Sequence, residues 1–230
     1  ACAHCPGMTG RRRVLSRLNG APEAEVLFVG EAPGRRGNHL VISAVEHKSV
    51  LDTAAYLERR GATVTRLPVD REGRVLPQDV AAAITPQTWL VSIMAANNEI
   101  GTIQPISDIA AICRENEVLF HTDAAQAVGK IPFAADGLDF VSISGHKICG
   151  PKGVGALIID RNARQSLVAR VHGGGQEDGL RSGTANVPGI VGFGCACQLA
   201  MEEGAADASR IGGLRDRLFA TLQGGLTDIV

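Results

Sequence analysis

From His39 onward, six short apolar runs rich in β-branched residues alternate with helix-like stretches, and this alternation constrains the fold more than any other feature of the chain. The runs are HLVISA (39–44), ATVTRLPV (62–69), TWLVSIMA (88–95), VLFHTD (118–123), LDFVSIS (138–144) and VGALIID (154–160). Their length and make-up suit buried strands. Between several of them lie KSVLDTAAYLERRG with Gly61 as a stop, PQDVAAAI with Pro77 at its start, and ISDIAAICRENE with Ser107 as the expected cap. Strand, helix, strand in succession predicts right-handed crossovers and a mainly parallel sheet, an α/β fold. With 230 residues, 45% of them hydrophobic, the chain has material for a sizeable core.

In such sheets chemistry gathers beyond the carboxyl ends of the strands. That rule can be tested on the residues following each run. HLVISA leads to Glu46 and His47, TWLVSIMA to Asn97, Asn98 and Glu99, VLFHT to Asp123 and Gln126, and LDFVSIS to His146 and Lys147. Four strand ends therefore deliver His, Asn, Asp and Lys to one rim. Each alone is explained by helix capping or solvation; the set points to a site.

Composition narrows the partners. The 23 basic and 24 acidic residues give a formal charge of -1, so no global field favours nucleic acid or an acidic membrane. The local exceptions are Arg11, Arg12 and Arg13, then Arg35 and Arg36. No apolar run reaches the roughly 18 residues of a membrane span, and the opening ACAHCPGMTGRRR lacks the order of a secretory signal; a cytoplasmic location is expected. Six cysteines at 2, 5, 113, 149, 195 and 197 are expected as reduced thiols. Cys2 and Cys5 form a C-x-x-C pair and are the candidate cluster ligands, but a four-ligand site needs a second pair and none follows nearby, so no metal is otherwise expected. Cys195 and Cys197 fall in an apolar helical pattern and are read as small buried packing residues.

A lysine that takes a cofactor aldehyde, a carboxylate that pairs with a pyridinium nitrogen and an imidazole that stacks on the ring are the parts of a pyridoxal phosphate site. Lys147, Asp123 and His47 supply these groups. The lysine must be neutral to attack a carbonyl, which burial beside another cation would arrange. Gly145, Gly150, Gly153 and Gly155 are expected to bend the chain tightly and let backbone approach a bulky ligand.

Five ordered blocks, SAVEHKSVLDT, VSIMAANNEIGTIQPI, HTDAAQAVGK, SISGHKICGPKGVGAL and HGGGQEDGLRSGTANVPGIVGFG, resemble the large domain of cysteine desulfurases of the class V aminotransferase family. The resemblance runs from residue 38 to about 225. It implies a three-layer α/β/α, mainly parallel sheet of the pyridoxal phosphate-dependent transferase type over residues 38–230. It also implies an enzyme that takes sulfur from L-cysteine, leaving alanine and a persulfide for iron–sulfur cluster or thio-cofactor synthesis. By the resemblance Lys147 carries the cofactor, Asp123 partners the ring nitrogen, and His47 stacks on the ring and helps move protons. Asn98 and Gln126 contact the ring-oxygen side, Ser144 and His146 bind phosphate, and Thr184 reaches the phosphate of a neighbouring subunit, implying a homodimer. A sulfur-acceptor or cluster scaffold protein is the further partner expected.

The departures are informative. The family's glycine-threonine phosphate loop is replaced by VLFVGEAPGRRGNHL, which has no threonine. The small C-terminal domain, with its persulfide cysteine and carboxylate-binding arginine, is not expected in a sequence ending at Val230, and none of the six cysteines matches that nucleophile. A pyridoxal phosphate-binding domain without turnover is therefore the alternative. Residues 1–37 read as a separate segment, and CAHCPGMTGRRRVLSRLNGAPEAEVLFVGEAPGRRG resembles the start of iron–sulfur uracil-DNA glycosylases, which leaves a repair-related reading open.

Overall fold

The computed structural model describes residues 12–16 and 37–226. The expected strands form where their side chains can be buried. Following β1 (Arg12–Ser16), they are β2 (His39–Ser43), β3 (Thr63–Leu67), β4 (Thr88–Ser92), β5 (Leu119–Asp123), β6 (Phe140–Ser144) and β7 (Gly155–Asp160). All five residues of β2 are buried, as a strand covered on both faces requires. The sheet order is β1-β7-β6-β5-β4-β2-β3. Four of the six pairings are parallel; β7 runs antiparallel to β6, and β1 antiparallel to β7. The edge strand β1 was not legible as one, because its sequence, RRVLS, reads as part of a basic patch.

The helices follow from the crossovers. The chain leaves β2 for β3 through α1 (Lys48–Arg59), returns past β2 to β4 through α2 (Pro77–Ala83), and continues to β5 through α3 (Ile106–Glu115). Right-handed connections that reverse direction must change sheet face. Accordingly α1 places Val50 and Ala54 in one core with Leu40, Ile42 and Leu90. On the other face α2 and α3 place Val80 and Ile109 in a core with Val41, Val91 and Phe120. The reversal makes a topological switch point between β2 and β4, the position where open α/β sheets bind ligands.

Pro77 opens α2 as expected, and Gly61, at φ 95°, follows the Arg60 cap of α1. Ser107 is not the cap of α3. The helix begins at Ile106 after Pro105, with no side-chain cap bond.

The last helix, α4 (Val187–Gly225), is capped by Asn186, whose Oδ1 accepts from Gly189 N–H at 3.1 Å. Only its first turns are anchored: Gly189, Phe193 and Ala196 are buried, whereas Ile211, Leu214, Leu218 and Phe219 are exposed. Cys197 packs against the core, but Cys195 is exposed, since it falls on the outer side of the helix. Among the described residues no helix is long and apolar enough to cross a membrane. Cys2, Cys5 and the segment VLFVGEAPG lie outside the described residues.

Candidate active site

The turn that carries Lys147 is built by close backbone packing. Leaving β6, residues Gly145–Ile148 form a single 3-10 turn that ends at Cys149 in the left-handed region, φ 63°. Gly145 N–H donates to Val154 O and Gly150 N–H to Gly145 O, both at 2.9 Å. A Cβ at Gly145 would meet Val154 O at 2.8 Å, and one at Gly155 would meet Ile143 O at 2.4 Å. Gly145 and Gly155 therefore serve the folding of the turn on β6 and β7, rather than the approach of a ligand. Phe193 and Ala196 of α4 press on the same turn, next to Gly145 and Gly150.

Lys147 itself is exposed on the rim, so the expected burial is not found. The lysine whose charged form is disfavoured is Lys130, through desolvation first and the Lys147 charge second. Nothing in the sequence singled out Lys130, since its desolvation depends on the fold. Its Nζ donates to Gln126 Oε1, leaving the Gln126 amide hydrogens as donors.

Asp123 ends β5 and is 7% exposed. Its Oδ1 accepts from Ala125 N–H at 2.9 Å. Burial raises the carboxyl's pKa; the Ala125 bond and the positive charges of His47 and Lys147 oppose the rise. The fold thus brings three of the expected residues, from three different strand ends, into one electrostatic group. His47 caps α1: its Nδ1 accepts from Ser49 N–H at 3.2 Å, so in the neutral ring the proton sits on Nε2. Ser144 and His146 are joined, Oγ to Nδ1, at 2.9 Å. Asn97 is buried scaffolding. Its Nδ2 donates to Val45 O at 2.9 Å, and its Oδ1 accepts from Glu99 and Ile100 N–H, which sets the exposed Asn98 on the rim. Thr184 is exposed in the loop before α4.

Of the four cysteines described, Cys113 is buried, and burial pushes its thiol up to about 12. Cys149 is exposed two residues after Lys147. Among the described residues no group of three His, Cys, Asp or Glu side chains is placed to hold a metal. An amine, an imidazole and a carboxyl at neighbouring strand ends are a donor set that fits pyridoxal phosphate, and the buried Asp123 carboxyl suits a pyridinium partner.

A mainly parallel open sheet, with a switch point and a Lys, His and Asp group at its strand ends, defines an open α/β domain of the class whose ligands bind beyond the carboxyl edge. The chain belongs to the Aminotransferase class-V family, whose model matches residues 19–227. It is 50% identical over 231 residues to the cysteine desulfurase IscS of Anaeromyxobacter sp. (strain Fw109-5), covering 94% of this chain and 57% of that protein. Among solved structures it resembles a NifS-like protein, with TM-score 0.79 and 44% identity over 83% of this chain and 53% of the other. It also resembles SspA in complex with cysteine, with TM-score 0.68 and 48% identity over 72% and 48% of the two chains. The chain spans about half the length of the curated relatives it matches.

Proposed function

We propose that this chain forms the cofactor-binding part of a pyridoxal phosphate-dependent cysteine desulfurase acting on L-cysteine. The observation that carries the reading is the electrostatic group of Asp123 with Lys147 and His47 at the switch-point edge. The similarity to cysteine desulfurase IscS and to a structure solved with cysteine supports the substrate.

When bound, pyridoxal phosphate supplies a ring that accepts electrons from the substrate's Cα. Lys147 would hold its aldehyde, Asp123 its ring nitrogen and His47 its face. Gln126 and Asn98 would face the ring oxygen, and Ser144 and His146 the phosphate, with Thr184 of a second copy completing that cradle in a homodimer. Lys147, exposed on its turn, and His47, with Nδ1 taken by Ser49 N–H, are the groups placed to move a proton at the substrate's Cα. Asp123, buried at the end of β5 and held by Ala125 N–H, is the carboxyl placed to pair with the ring nitrogen. The sulfur acceptor is a thiol, and a cluster scaffold in the cytoplasm is the downstream partner this reading favours.

The test is a visible absorption spectrum of the purified chain with pyridoxal phosphate before and after borohydride, with mass mapping of the modified peptide. An absorption band trapped on Lys147 and lost in Lys147→Ala is expected, whereas Asp123→Ala should retain the cofactor with altered absorption. Failure of Lys147 to take up the cofactor would overturn the reading. Release of alanine from L-cysteine then separates turnover from binding alone.

A further inference from the structure

The turn between β2 and α1 buries a carboxyl group that the proposed chemistry does not use. Glu46 is 4% exposed. Its Oε1 accepts from Ser43 Oγ at 2.6 Å and from Met94 N–H at 2.9 Å. Its Oε2 is buried with no hydrogen-bond partner. An ionised carboxylate here would leave a charged oxygen without a donor, a far larger cost than an unpaired neutral hydroxyl. A proton on Oε2 removes that charge, and Oε1 then acts as the carbonyl oxygen that accepts both bonds.

Position gives the protonation its meaning. Ser43 ends β2 and Met94 lies two residues beyond β4, so the carboxyl closes the crevice at the switch point. Asp123 acts on it across β4, and its charge adds to the cost of ionising Glu46. Their surroundings decide which one keeps the proton. Asp123, on β5, is itself raised by burial, but the Ala125 bond and the charges of His47 on the α1 cap and Lys147 on the 3-10 turn oppose the rise. Glu46 has only the neutral donors of Ser43 and Met94, and β4's extension adds the neutral Asn97. Burial, opposed by hydrogen bonds from the Ser43 side chain, Met94 N–H and the Ser43 backbone and reinforced by the Asp123 charge, pushes Glu46 up to about 8.

We propose that Glu46 is a positioning residue, held as a neutral acid at the switch point so that Asp123 presents the single negative charge to the cofactor's ring nitrogen. This rests on the reading of Asp123 given above. The geometry makes Glu46 a strut between β2 and β4 whose neutrality is part of its role.

The experiment uses the full chain without cofactor, with glutamate carboxyls labelled with carbon-13. The resonance lost in Glu46→Gln should report a protonated acid at pH 6 and titrate near pH 8, far above the ordinary glutamate value of 4.5. Because the folded value lies above the unfolded one, the stabilisation is complete below pH 4.5 and is lost as pH rises towards 8. Between pH 6.5 and 8 the unfolding constant of the wild type should therefore rise, by up to about tenfold per pH unit, relative to Glu46→Gln. A Glu46 resonance already ionised at pH 6, or identical slopes for the two proteins, overturns the proposal. Pyridoxal phosphate is then added to both. The neutral isostere Glu46→Gln should keep the adduct on Lys147 with its absorption band unshifted, and a shifted band also overturns the proposal. A protonated Glu46 in a wild type whose Lys147 takes up no cofactor would overturn the cofactor reading and leave the neutral acid standing.

Discussion

A single methyl group separates Gly155 from a broken turn. With Ile143 O at 2.4 Å from the position of a Cβ, Gly155→Ala should destabilise the chain by about 1–3 kcal/mol in urea unfolding and weaken uptake of pyridoxal phosphate at Lys147. Gly153 offers the contrast: nothing lies within 4 Å of its Cβ position, and only its φ of +76° resists a side chain. Its alanine variant should lose about 1–2 kcal/mol. Gln104 is a second sensitive residue, because its buried amide accepts from Val75 N–H at 2.9 Å and donates to Gly73 O at 2.7 Å. Gln104→Ala leaves both backbone groups without their partner and should cost about 2–3 kcal/mol. At this scale the sequence displayed residue types but not their surroundings. Lys147, Asp123 and His47 were legible because they follow apolar runs. The burial of Glu46 against Met94 N–H, 48 residues away, was not.

Among the elements, the strands were legible because β-branched runs have few other places to go, whereas the cross-links between them were invisible. His121 in β5 bridges Ser92 of β4 and Ser142 of β6, with Nδ1 at 2.7 Å and Nε2 at 2.9 Å. His39 in β2 does the same for Thr88 and Thr65, at 2.7 and 2.8 Å. A neutral imidazole has one donor and one acceptor, so it can satisfy a hydroxyl on each side within a buried sheet. His121→Ala removes this bridge from three strands at once and leaves a cavity. A loss of about 2–4 kcal/mol is expected, checked by urea unfolding at pH 7. The Ser107 cap failed for a local reason: Pro105 already sets the helix start, which places Ser107 inside the first turn. The antiparallel return of β7 was hidden because strand sequences carry no mark of direction.

For the whole molecule, the two kinds of buried titratable group predict a stability that falls away on both sides of mildly acidic pH. Burial lowers His121 from 6.5 to about 3, so the unfolded chain binds the extra proton, and stability is lost as pH falls from 6.5 towards 3. Glu46, raised from 4.5 to about 8, acts in the opposite sense and loses its contribution as pH rises. Where the two ranges overlap, between 4.5 and 6.5, the slopes offset. Outside it each approaches about 1.4 kcal/mol per pH unit, measurable as unfolding free energy of the cofactor-free chain across pH. Glu46→Gln should flatten the alkaline limb and leave the His121 slope unopposed between pH 4.5 and 6.5. The same large-scale view changes how α4 is understood. Its base bears on the Lys147 turn through Phe193 and Ala196, while residues 205–225 project about 30 Å further at 1.5 Å per residue. A tilt of about 5° at its base would move its tip by about 3 Å, so the direction of the whole helix is set where Phe193 and Ala196 meet the turn that carries the lysine.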